Sequence, residues 1–324
     1  MAKAKAGQAF GHGGIKLFAG SGSPDLAREI SDYLNVPLED YELVEFPNEN
    51  LFVKLKKSIR GQDVYLIQSM SSPVHQNIME MLLMIDCLNR DSAGRITAVF
   101  PYMAYARSDK KDQPRVPISA RLIADMIEVA GTDRYMTIDL HAGQIQGFFS
   151  IPGDVLTAFH LLSDYFLEKD LKNGVVATAD LGFAKKGRNF AAKLGLPLAF
   201  VEKRRKGDHP RAEAHTVIGD VSGKDVILVD DEVLTGGSVC EAVDILKEHG
   251  ANDVYLSFTH ALLVPPAFEE IRAHPIKEIV TTNTLQISPE NKLDNMTILS
   301  VAPLLGEVIL RAHEGRSVGE LFNE

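Results

Sequence analysis

The sequence of 324 residues contains only two cysteines, Cys87 and Cys240, and has no stretch of 18 apolar residues. The cysteines show neither a disulfide nor a metal-ligand spacing and both lie in apolar helical patterns, so we expect buried thiols in a reducing compartment. Without a long apolar stretch we expect no membrane span. The first 14 residues also lack the apolar run of a signal peptide, so we expect a mobile tail and a cytoplasmic protein.

The sequence also lacks a surplus of positive charge. It has 34 Lys and Arg against 44 Asp and Glu, which gives a formal net charge of −10. This balance argues against binding nucleic acid or an anionic membrane through bulk charge, although it leaves room for a local basic site. A hydrophobic content of 45% and a charged content of 24% are typical of a soluble globular protein, and the length allows two domains.

Short apolar, β-rich runs recur along the chain and alternate with helical patterns. The runs begin at Ile15, Val64, Ile96, Tyr135, Val175, Leu198, Val226, Val254 and Glu278. Alternating strands and helices predict an α/β fold with parallel sheets, because continuous apolar runs are typical of parallel strands buried on both faces. The same order of elements occurs before and after residue 155, so we expect two similar domains, 15–156 and 157–302.

The segment after the strand at Val226 combines two carboxylates with a glycine-rich turn and a helix. Asp230 and Asp231 follow the apolar run, and Thr235 to Ser238 lead into the helix. Converging backbone N–H groups, two hydroxyls and a helix N-terminus predict a phosphate site, and paired carboxylates suit sugar hydroxyls or Mg²⁺. An ordinary strand–helix turn with a serine N-cap is the alternative. No G-x-x-x-x-G-K-[ST] sequence is present, so this is not a P-loop NTPase.

Two other predicted strand ends carry groups that bind metal ions. Asp139 and His141 follow one strand in "MTIDLHAG", and Asp180 follows another in "VVATADLG". An imidazole and a carboxylate can share a divalent cation, and beside phosphates that cation is expected to be Mg²⁺. A structural role for the lone histidine is the alternative.

Basic residues are concentrated in "YARSDKKDQPRVP", which contains Arg107, and in "VEKRRKGDHPRAEAH", which contains Lys203 and Arg205. The second segment has no apolar periodicity, so we predict a mobile loop. A solvated run of charges is one interpretation. A cationic loop beside a phosphate site also suits phosphoryl transfer, in which catalysis consists mostly of positioning and neutralising charge.

Taken together, "FPNEN", "GQDVYLIQS", "FPYMAYARSDKKDQPRVPISARLIADM", "DLHAGQIQGFF", "EKRR" and "VDDEVLTGGS" resemble the ribose-phosphate diphosphokinase family, also called phosphoribosyl pyrophosphate synthetases. The resemblance runs from about Ile15 to the C-terminus. It implies two domains, each built like a type I phosphoribosyltransferase, with a C-terminal helix of about residues 303–324 packing on the first. It also implies homo-oligomers, commonly hexamers, and transfer of the diphosphoryl group of ATP to the anomeric hydroxyl of ribose 5-phosphate.

The resemblance also implies a role for each matching residue, and these roles fall into four groups. Magnesium ligands are His141 and Asp180, and catalytic cations are Lys203 and Arg205. The ATP site comprises Phe46, Asn48, Glu49, Asn50, Arg107 and Ser108. The ribose 5-phosphate site comprises Asp230, Asp231, Leu234, Thr235, Gly236, Gly237 and Ser238.

Four positions depart from the family pattern, namely Leu234 for Asp, Ser108 for Gln, Ala179 for Pro and Ser150 for Asp. Leu234 removes a charge and a hydrogen-bond acceptor from the sugar loop. Three interpretations remain open: an active enzyme with tolerated substitutions, an enzyme with altered sugar or nucleotide selectivity, and a weakly active regulatory paralogue. A phosphoribosyltransferase that consumes phosphoribosyl pyrophosphate is disfavoured by the full-length match.

Overall fold

The computed structural model describes residues 12–179, 181–205 and 213–319, without the side chains of residues 181, 203–205 and 213–215. The chain divides into two compact units. The first comprises the described residues up to Thr157, together with Thr284–Gln286 and the chain from Ser300 onward. The second comprises Ala158–Asn283 and Ile287–Leu299. Each unit is an α/β structure around its own sheet and its own hydrophobic core.

The first unit contains a five-stranded parallel sheet in the order β1-β4-β5-β6-β7, together with a β2–β3 hairpin. Its elements are β1 (Ile15–Ala19), α1 (Pro24–Leu34), β2 (Tyr41–Glu45), β3 (Leu51–Leu55), β4 (Asp63–Ile67), α2 (Val74–Arg90), β5 (Arg95–Val99), α3 (Ser119–Val129), β6 (Arg134–Ile138) and β7 (Gly153–Leu156). A 3₁₀ helix, Gly143–Phe148, follows β6. All five residues of β4 are buried, as expected for a central parallel strand.

The second unit contains a seven-stranded sheet in the order β10-β9-β8-β11-β12-β13-β14, in which β10 is antiparallel to β9 and the other pairs are parallel. Its elements are α4 (Phe159–Lys169), β8 (Gly174–Thr178), α5 (Ala184–Leu194), β9 (Leu198–Arg205), β10 (Glu213–Ile218), β11 (Asp225–Val233), α6 (Gly237–Glu248), β12 (Val254–Ala261), α7 (Ala267–Ala273), β13 (Glu278–Thr282) and β14 (Met296–Leu299).

A last helix, α8 (Ala302–Glu314), returns to the first unit and packs against α1. The helices approach closely at Gly306, where a Cβ would lie 2.3 Å from Tyr33 Cδ1. His313 Nδ1 lies 2.7 Å from the carboxylate of Asp63, which is fully buried at the start of β4. Arg95 donates to the same carboxylate at 2.6 and 2.8 Å. Burial alone would raise the pKa of Asp63, but the bonds from Arg95 and His313 hold that pKa below its ordinary value.

The structure confirms the nine strands that the apolar runs predicted and the α/β class with parallel sheets. Five further strands were missed: β2, β3, β7, β10 and β14. Charged residues interrupt the apolar sequence of β2 and β3, and β7 and β14 have four residues each, so none of these four strands forms a long apolar run. Asp230 and Asp231 do not follow their strand, because β11 continues through Val233.

Four smaller predictions concern the loop around Lys203, the N-terminal tail, the two cysteines and a membrane span. The mobile loop predicted around Lys203 is wrong for its first part, because residues up to Arg205 belong to β9 and pair with β10. Residues 206–212 lie outside the described part of the chain, as do residues 1–11 of the predicted tail. Cys240 is buried as expected, whereas Cys87 is partly exposed. Among the described helices, none is long and apolar enough to cross a membrane.

Candidate functional site

The turn from β11 into α6 has the geometry of an anion site. Gly236 is the N-cap residue with φ of +83°, a conformation that favours glycine, and a Cβ there would lie 3.2 Å from Ile271 Cγ1. The first bond of the helix runs from Cys240 N–H to Gly236 O at 2.9 Å. The N–H groups of the first turn therefore have no carbonyl of the helix to donate to. Thr235, Gly237 and Ser238 are exposed beside them, so the turn offers donors to a phosphate.

Three consecutive acidic residues, Asp230, Asp231 and Glu232, stand at the end of β11 just before this turn. Asp231 and Glu232 are buried and Asp230 is half-buried. The N–H of Asp231 donates to Asp230 Oδ1 at 2.8 Å. Burial and the neighbouring Asp231 carboxylate raise the pKa of Asp230 to about 8. This group is therefore costly to ionise by itself, and a cation or a set of ligand hydroxyls would relieve that cost.

The position of Leu234 is fixed by its backbone. Its carbonyl accepts a bond from the N–H of Val264 at 3.0 Å, and the carbonyl of Val233 accepts one from Leu263 at 3.1 Å. Leu234 is half-buried and lies in the sequence between the acidic strand end and the glycine turn. The turn is thus attached to a neighbouring loop through main-chain bonds that do not depend on the side chain at 234.

In the first unit, the chain after β5 and the chain after β6 are joined by side chains. β5 and β6 are parallel neighbours, so their carboxyl ends lie at one edge of the sheet. The buried Asp109 accepts a hydrogen bond from Gln144, which lies in the 3₁₀ helix after β6. Arg107 is exposed on the first of these connections. The predicted phosphate contact Arg107 and the predicted metal ligand His141 therefore belong to two connections that are bonded to each other.

Ser108 is directed toward the start of α3. Its hydroxyl lies 3.4 Å from the N–H of Ser119 and 3.5 Å from Pro117 O. Its backbone carbonyl accepts a bond from Ala120 N–H at 3.2 Å. A short hydroxyl in this position interacts with the first turn of α3, whereas the glutamine of the family pattern would reach farther from the backbone.

The predicted adenine site is an exposed hairpin tip. Residues 46–50 connect β2 to β3, and all five are exposed. The ring of Phe46 is 46% exposed and packs tilted against Phe52 at 6.3 Å between centroids. Asn48 Oδ1 accepts a bond from Asn50 N–H at 3.3 Å. An exposed aromatic face beside amide groups suits a planar base.

Two contacts at the start of α2 link this hairpin to the segment after β5 that contains Arg107. Gln76 donates to Glu45 at the base of the hairpin at 3.2 Å. His75 Nε2 lies 2.8 Å from the hydroxyl of Tyr105, two residues before Arg107. The two segments that carry the predicted ATP-site residues are thus linked, through neighbouring residues, to the first turn of α2. No local sequence pattern predicts the His75–Tyr105 contact or the Asp109–Gln144 bond, because each joins separate segments of the chain.

Of the two predicted metal ligands, only His141 belongs to the described part of the chain. His141 is exposed three residues beyond β6. Asp139, which lies in the sequence between β6 and His141, is buried with φ of +43° and accepts a hydrogen bond from Thr157 at 2.9 Å. Asp180 lies outside the described residues, two positions beyond the end of β8. The side chains of Lys203 and Arg205 also lie outside the described part, although their backbone is the end of β9.

Comparison with known proteins identifies the family. Residues 15–131 match the model of the N-terminal domain of ribose phosphate pyrophosphokinase, and residues 210–323 match the phosphoribosyl synthetase-associated domain. The chain is 46% identical over 309 residues to the ribose-phosphate pyrophosphokinase of Caldanaerobacter subterraneus subsp. tengcongensis, covering 95% of this chain and 98% of that protein. The chain belongs to the ribose-phosphate pyrophosphokinase family. The resemblance seen in the sequence is therefore confirmed.

Two further relatives support this assignment. The ribose-phosphate pyrophosphokinase of Campylobacter jejuni is 44% identical, with 95% of this chain and 99% of that protein covered. The crystal structure of phosphoribosylpyrophosphate synthetase from Mycobacterium smegmatis matches with a TM-score of 0.89 at 41% identity, covering 94% of this chain and all of that one. The match extends over both units, so the α/β fold predicted for this chain is the fold of this family.

Proposed function

We propose that this protein transfers the β,γ-diphosphoryl group of ATP to the anomeric hydroxyl of ribose 5-phosphate, giving phosphoribosyl pyrophosphate and AMP. The observation that carries the proposal is the β11–α6 segment in a chain of this family. There, a glycine-initiated helix N-terminus directly follows two carboxylates, one of which has a raised pKa. A sugar phosphate has the matching groups, a dianion at one end and hydroxyls at the other.

In this proposal the residues from Thr235 to Ser238 bind the 5-phosphate through backbone N–H groups and hydroxyls. Asp230 and Asp231 accept hydrogen bonds from the ribose hydroxyls. Hydroxyl donors favour the ionised form of a carboxyl, so sugar binding would lower the pKa of Asp230 from its value of about 8. The two ends of the segment thus recognise two different parts of one ligand.

ATP is proposed to bind in the first unit, with adenine against the hairpin residues Phe46, Asn48, Glu49 and Asn50 and with phosphates at Arg107 and Ser108. The reaction forms a bond between the anomeric oxygen and the β-phosphorus and breaks the bond from that phosphorus to the α-phosphate oxygen. AMP leaves with that oxygen, and the hydroxyl proton is lost from the sugar. Lys203 and Arg205 are proposed to offset the charge that develops on the transferring group.

Magnesium is part of the proposal, with His141 and Asp180 as its protein ligands. His141 is exposed three residues beyond the end of β6, and its imidazole is proposed to bind a cation that also contacts phosphates. A bound Mg²⁺ would supply charge neutralisation for the phosphoryl oxygens. Mg²⁺ commonly binds through one or two protein side chains together with water and substrate oxygens, so two protein ligands would suffice.

The proposal includes a cytoplasmic homo-oligomer, a hexamer by family resemblance. Two free cysteines suit a reducing compartment. Leu122 and Val129 of α3 are 57% and 88% exposed, and Met79 of α2 is 47% exposed. Leu122 and Val129 are seven residues apart and so lie on one face of α3, and neighbouring exposed apolar side chains are typical of a protein interface. Light scattering on a Leu122→Glu, Val129→Glu variant tests this point, and a smaller particle than that of the wild type is expected.

The direct test is AMP formation from ATP. We expect AMP only when ribose 5-phosphate and Mg²⁺ are both present, and phosphoribosyl pyrophosphate in equal amount. Nucleotide binding without AMP at millimolar substrates would contradict the proposal and favour the regulatory interpretation. A panel of sugar phosphates and nucleotides in the same assay then measures selectivity.

Leu234→Asp tests whether position 234 faces the sugar. Because the turn is held by main-chain bonds, the variant should keep its fold and improve kcat/KM for ribose 5-phosphate. Ser150, which also departs from the family pattern but is exposed with its N–H bonded to Glu128, provides the comparison. Ser150→Asp should leave the sugar preference unchanged, and an identical response of the two variants would remove position 234 from the sugar site.

A further inference from the structure

Helices α6 and α7 place four metal-binding side chains in one small region of the second unit. Cys240 and Asp244 are four residues apart on α6, and Glu270 and His274 are four residues apart at the end of α7. Side chains at i and i+4 lie on the same face of a helix, so each helix presents one pair of ligands. Ligand atoms of Cys240, Glu270 and His274 all lie within 4.8 Å of one another, and Asp244 Oδ2 lies 3.3 Å from His274 Nε2.

The imidazole of His274 is oriented as metal-binding histidines usually are. Its Nδ1 lies 2.7 Å from the backbone carbonyl of Glu270, which can only accept a hydrogen bond. Nδ1 therefore donates to that carbonyl, which leaves Nε2, 3.3 Å from the carboxylate of Asp244, as the ring nitrogen that a metal ion can bind in place of a proton. Bonding of the second ring nitrogen to a carbonyl fixes the tautomer and direction of a histidine ligand. A cation between Nε2 and the carboxylate would satisfy both groups.

We propose that Cys240, Asp244, Glu270 and His274 bind a zinc-type divalent cation. No step of the proposed reaction uses these residues. A thiolate sulfur with an imidazole nitrogen favours Zn²⁺ or Co²⁺ over Mg²⁺, which prefers oxygen ligands. In a tetrahedral zinc site with bonds of about 2.0–2.3 Å, the ligand atoms lie roughly 3.3–3.8 Å apart, so Cys240, Glu270 and His274 need only small rotamer changes to bind one ion. Asp244, which lies beside His274 and outside that group of three, would become the fourth ligand after a side-chain rotation. The thiol proton passes to solvent as the sulfur–metal bond forms.

The cation would connect α6 to α7 close to the phosphate turn. Cys240 is 1% exposed and lies one turn into the helix that begins beside Gly236, which contacts Ile271 of α7. The side chains of His274 and Asp244 are 18% and 54% exposed, so a metal ion can enter from solvent. Binding should therefore stabilise the second unit as well as fill the site.

The experiment is a Co²⁺ titration of the full-length, chelator-treated protein, followed by absorbance. Cobalt bound to a thiolate gives a near-ultraviolet charge-transfer band, which the sulfur-free magnesium ligands proposed above cannot produce. We expect the band in the wild type and in Cys87→Ser, the matched control that removes the other cysteine. We expect it to be absent in Cys240→Ser and to need about tenfold more metal in His274→Gln.

Two readouts keep the test decisive. Zn²⁺ should displace the cobalt band and raise the thermal midpoint of the wild type and Cys87→Ser, but not that of Cys240→Ser. If Cys240→Ser does not fold, His274→Gln and Asp244→Asn, at less buried positions, carry the comparison. A wild type without the band, a band that persists in Cys240→Ser, or a His274→Gln variant with wild-type affinity would each overturn the proposal.

Discussion

Asp230→Asn should make the unliganded protein more stable and the enzyme less active. Asp230 stands beside Asp231, and burial together with that neighbour raises its pKa to about 8 from an ordinary value of 3.8. Asparagine has almost the same shape and carries no charge. Its Oδ1 can still accept the 2.8 Å hydrogen bond from the N–H of Asp231, so the local backbone should be preserved.

The pKa of Asp230 also fixes the direction of the pH dependence. Below about pH 4 the carboxyl is protonated in both the folded and unfolded states, so it has no effect on stability. Between about pH 4 and pH 8 the unfolded chain loses the proton while the folded protein retains it, so the stability of the wild type falls as the pH rises. The advantage of Asp230→Asn should thus be near zero at pH 4 and greatest at pH 8 and above.

The size of the effect follows from the same values. The difference between a pKa of 3.8 in the unfolded chain and about 8 in the folded protein corresponds to at most about 6 kcal/mol of unfolding free energy. Asp230 is only half-buried and water screens part of this energy, so we expect a gain of about 1–2 kcal/mol. For a domain of this size that gain raises the thermal midpoint by roughly 2–8 °C. Loss of a charged acceptor for a sugar hydroxyl should lower kcat/KM by roughly 10- to 100-fold.

The assay is thermal unfolding followed by circular dichroism at pH 5 and pH 8, with AMP formation measured on the same samples. Asp220→Asn is the control with the opposite sign, because a hydrogen bond from Lys224 lowers the pKa of that exposed carboxyl. Asp220→Asn should give no gain in stability and no loss of activity. A lower midpoint for Asp230→Asn at pH 8, or an equal gain at both pH values, would refute the reasoning.

Three further predictions concern other parts of the molecule. Asp63→Asn leaves a buried guanidinium without its charged partner and should cost about 3–5 kcal/mol in urea unfolding, whereas the exposed Asp86→Asn should change stability by less than about 1 kcal/mol. Gly236→Ala places a Cβ at φ of +83° and 3.2 Å from a side chain, so AMP formation should fall, while Gly223→Ala, in open space, should keep activity. Lys203→Ala should lower kcat far more than it raises KM, and a pure KM effect in steady-state kinetics would contradict its role in the transition state.

The sequence predicted the nine main strands and the phosphate turn because their signals are local. A short, mostly apolar segment is typical of a buried parallel strand, and the glycine of the T-G-G-S turn indicates a backbone with positive φ. Strands β2, β3 and β10 lack that apolar signal, and each pairs with an antiparallel neighbour. The bonds joining Asp63 to Arg95 and His313 connect residues up to 250 positions apart, and no local pattern encodes such a contact.

The four ligands of the proposed zinc site illustrate the same limit. The pairs Cys240–Asp244 and Glu270–His274 each have the i, i+4 spacing, but each pair alone is ordinary for a helix. Sequence motifs for zinc sites that are built only from cysteines and histidines do not detect a site with one cysteine, one histidine and two carboxylates. The site can be recognised only from the packing of α6 against α7, which brings residues of both pairs together.

Leu234 should affect the proposed sugar contacts of the β11–α6 segment without affecting its proposed phosphate contacts. The proposed phosphate contacts are backbone N–H groups, and the turn that holds them is fixed by main-chain bonds to Leu263 and Val264. A change of side chain at 234 therefore leaves the phosphate half intact. The proposed sugar contacts are side-chain carboxylates, and there an apolar neighbour changes which hydroxyls can be satisfied. If the segment acts as proposed, the departure from the family pattern should alter the choice of sugar while the affinity for its phosphate is retained.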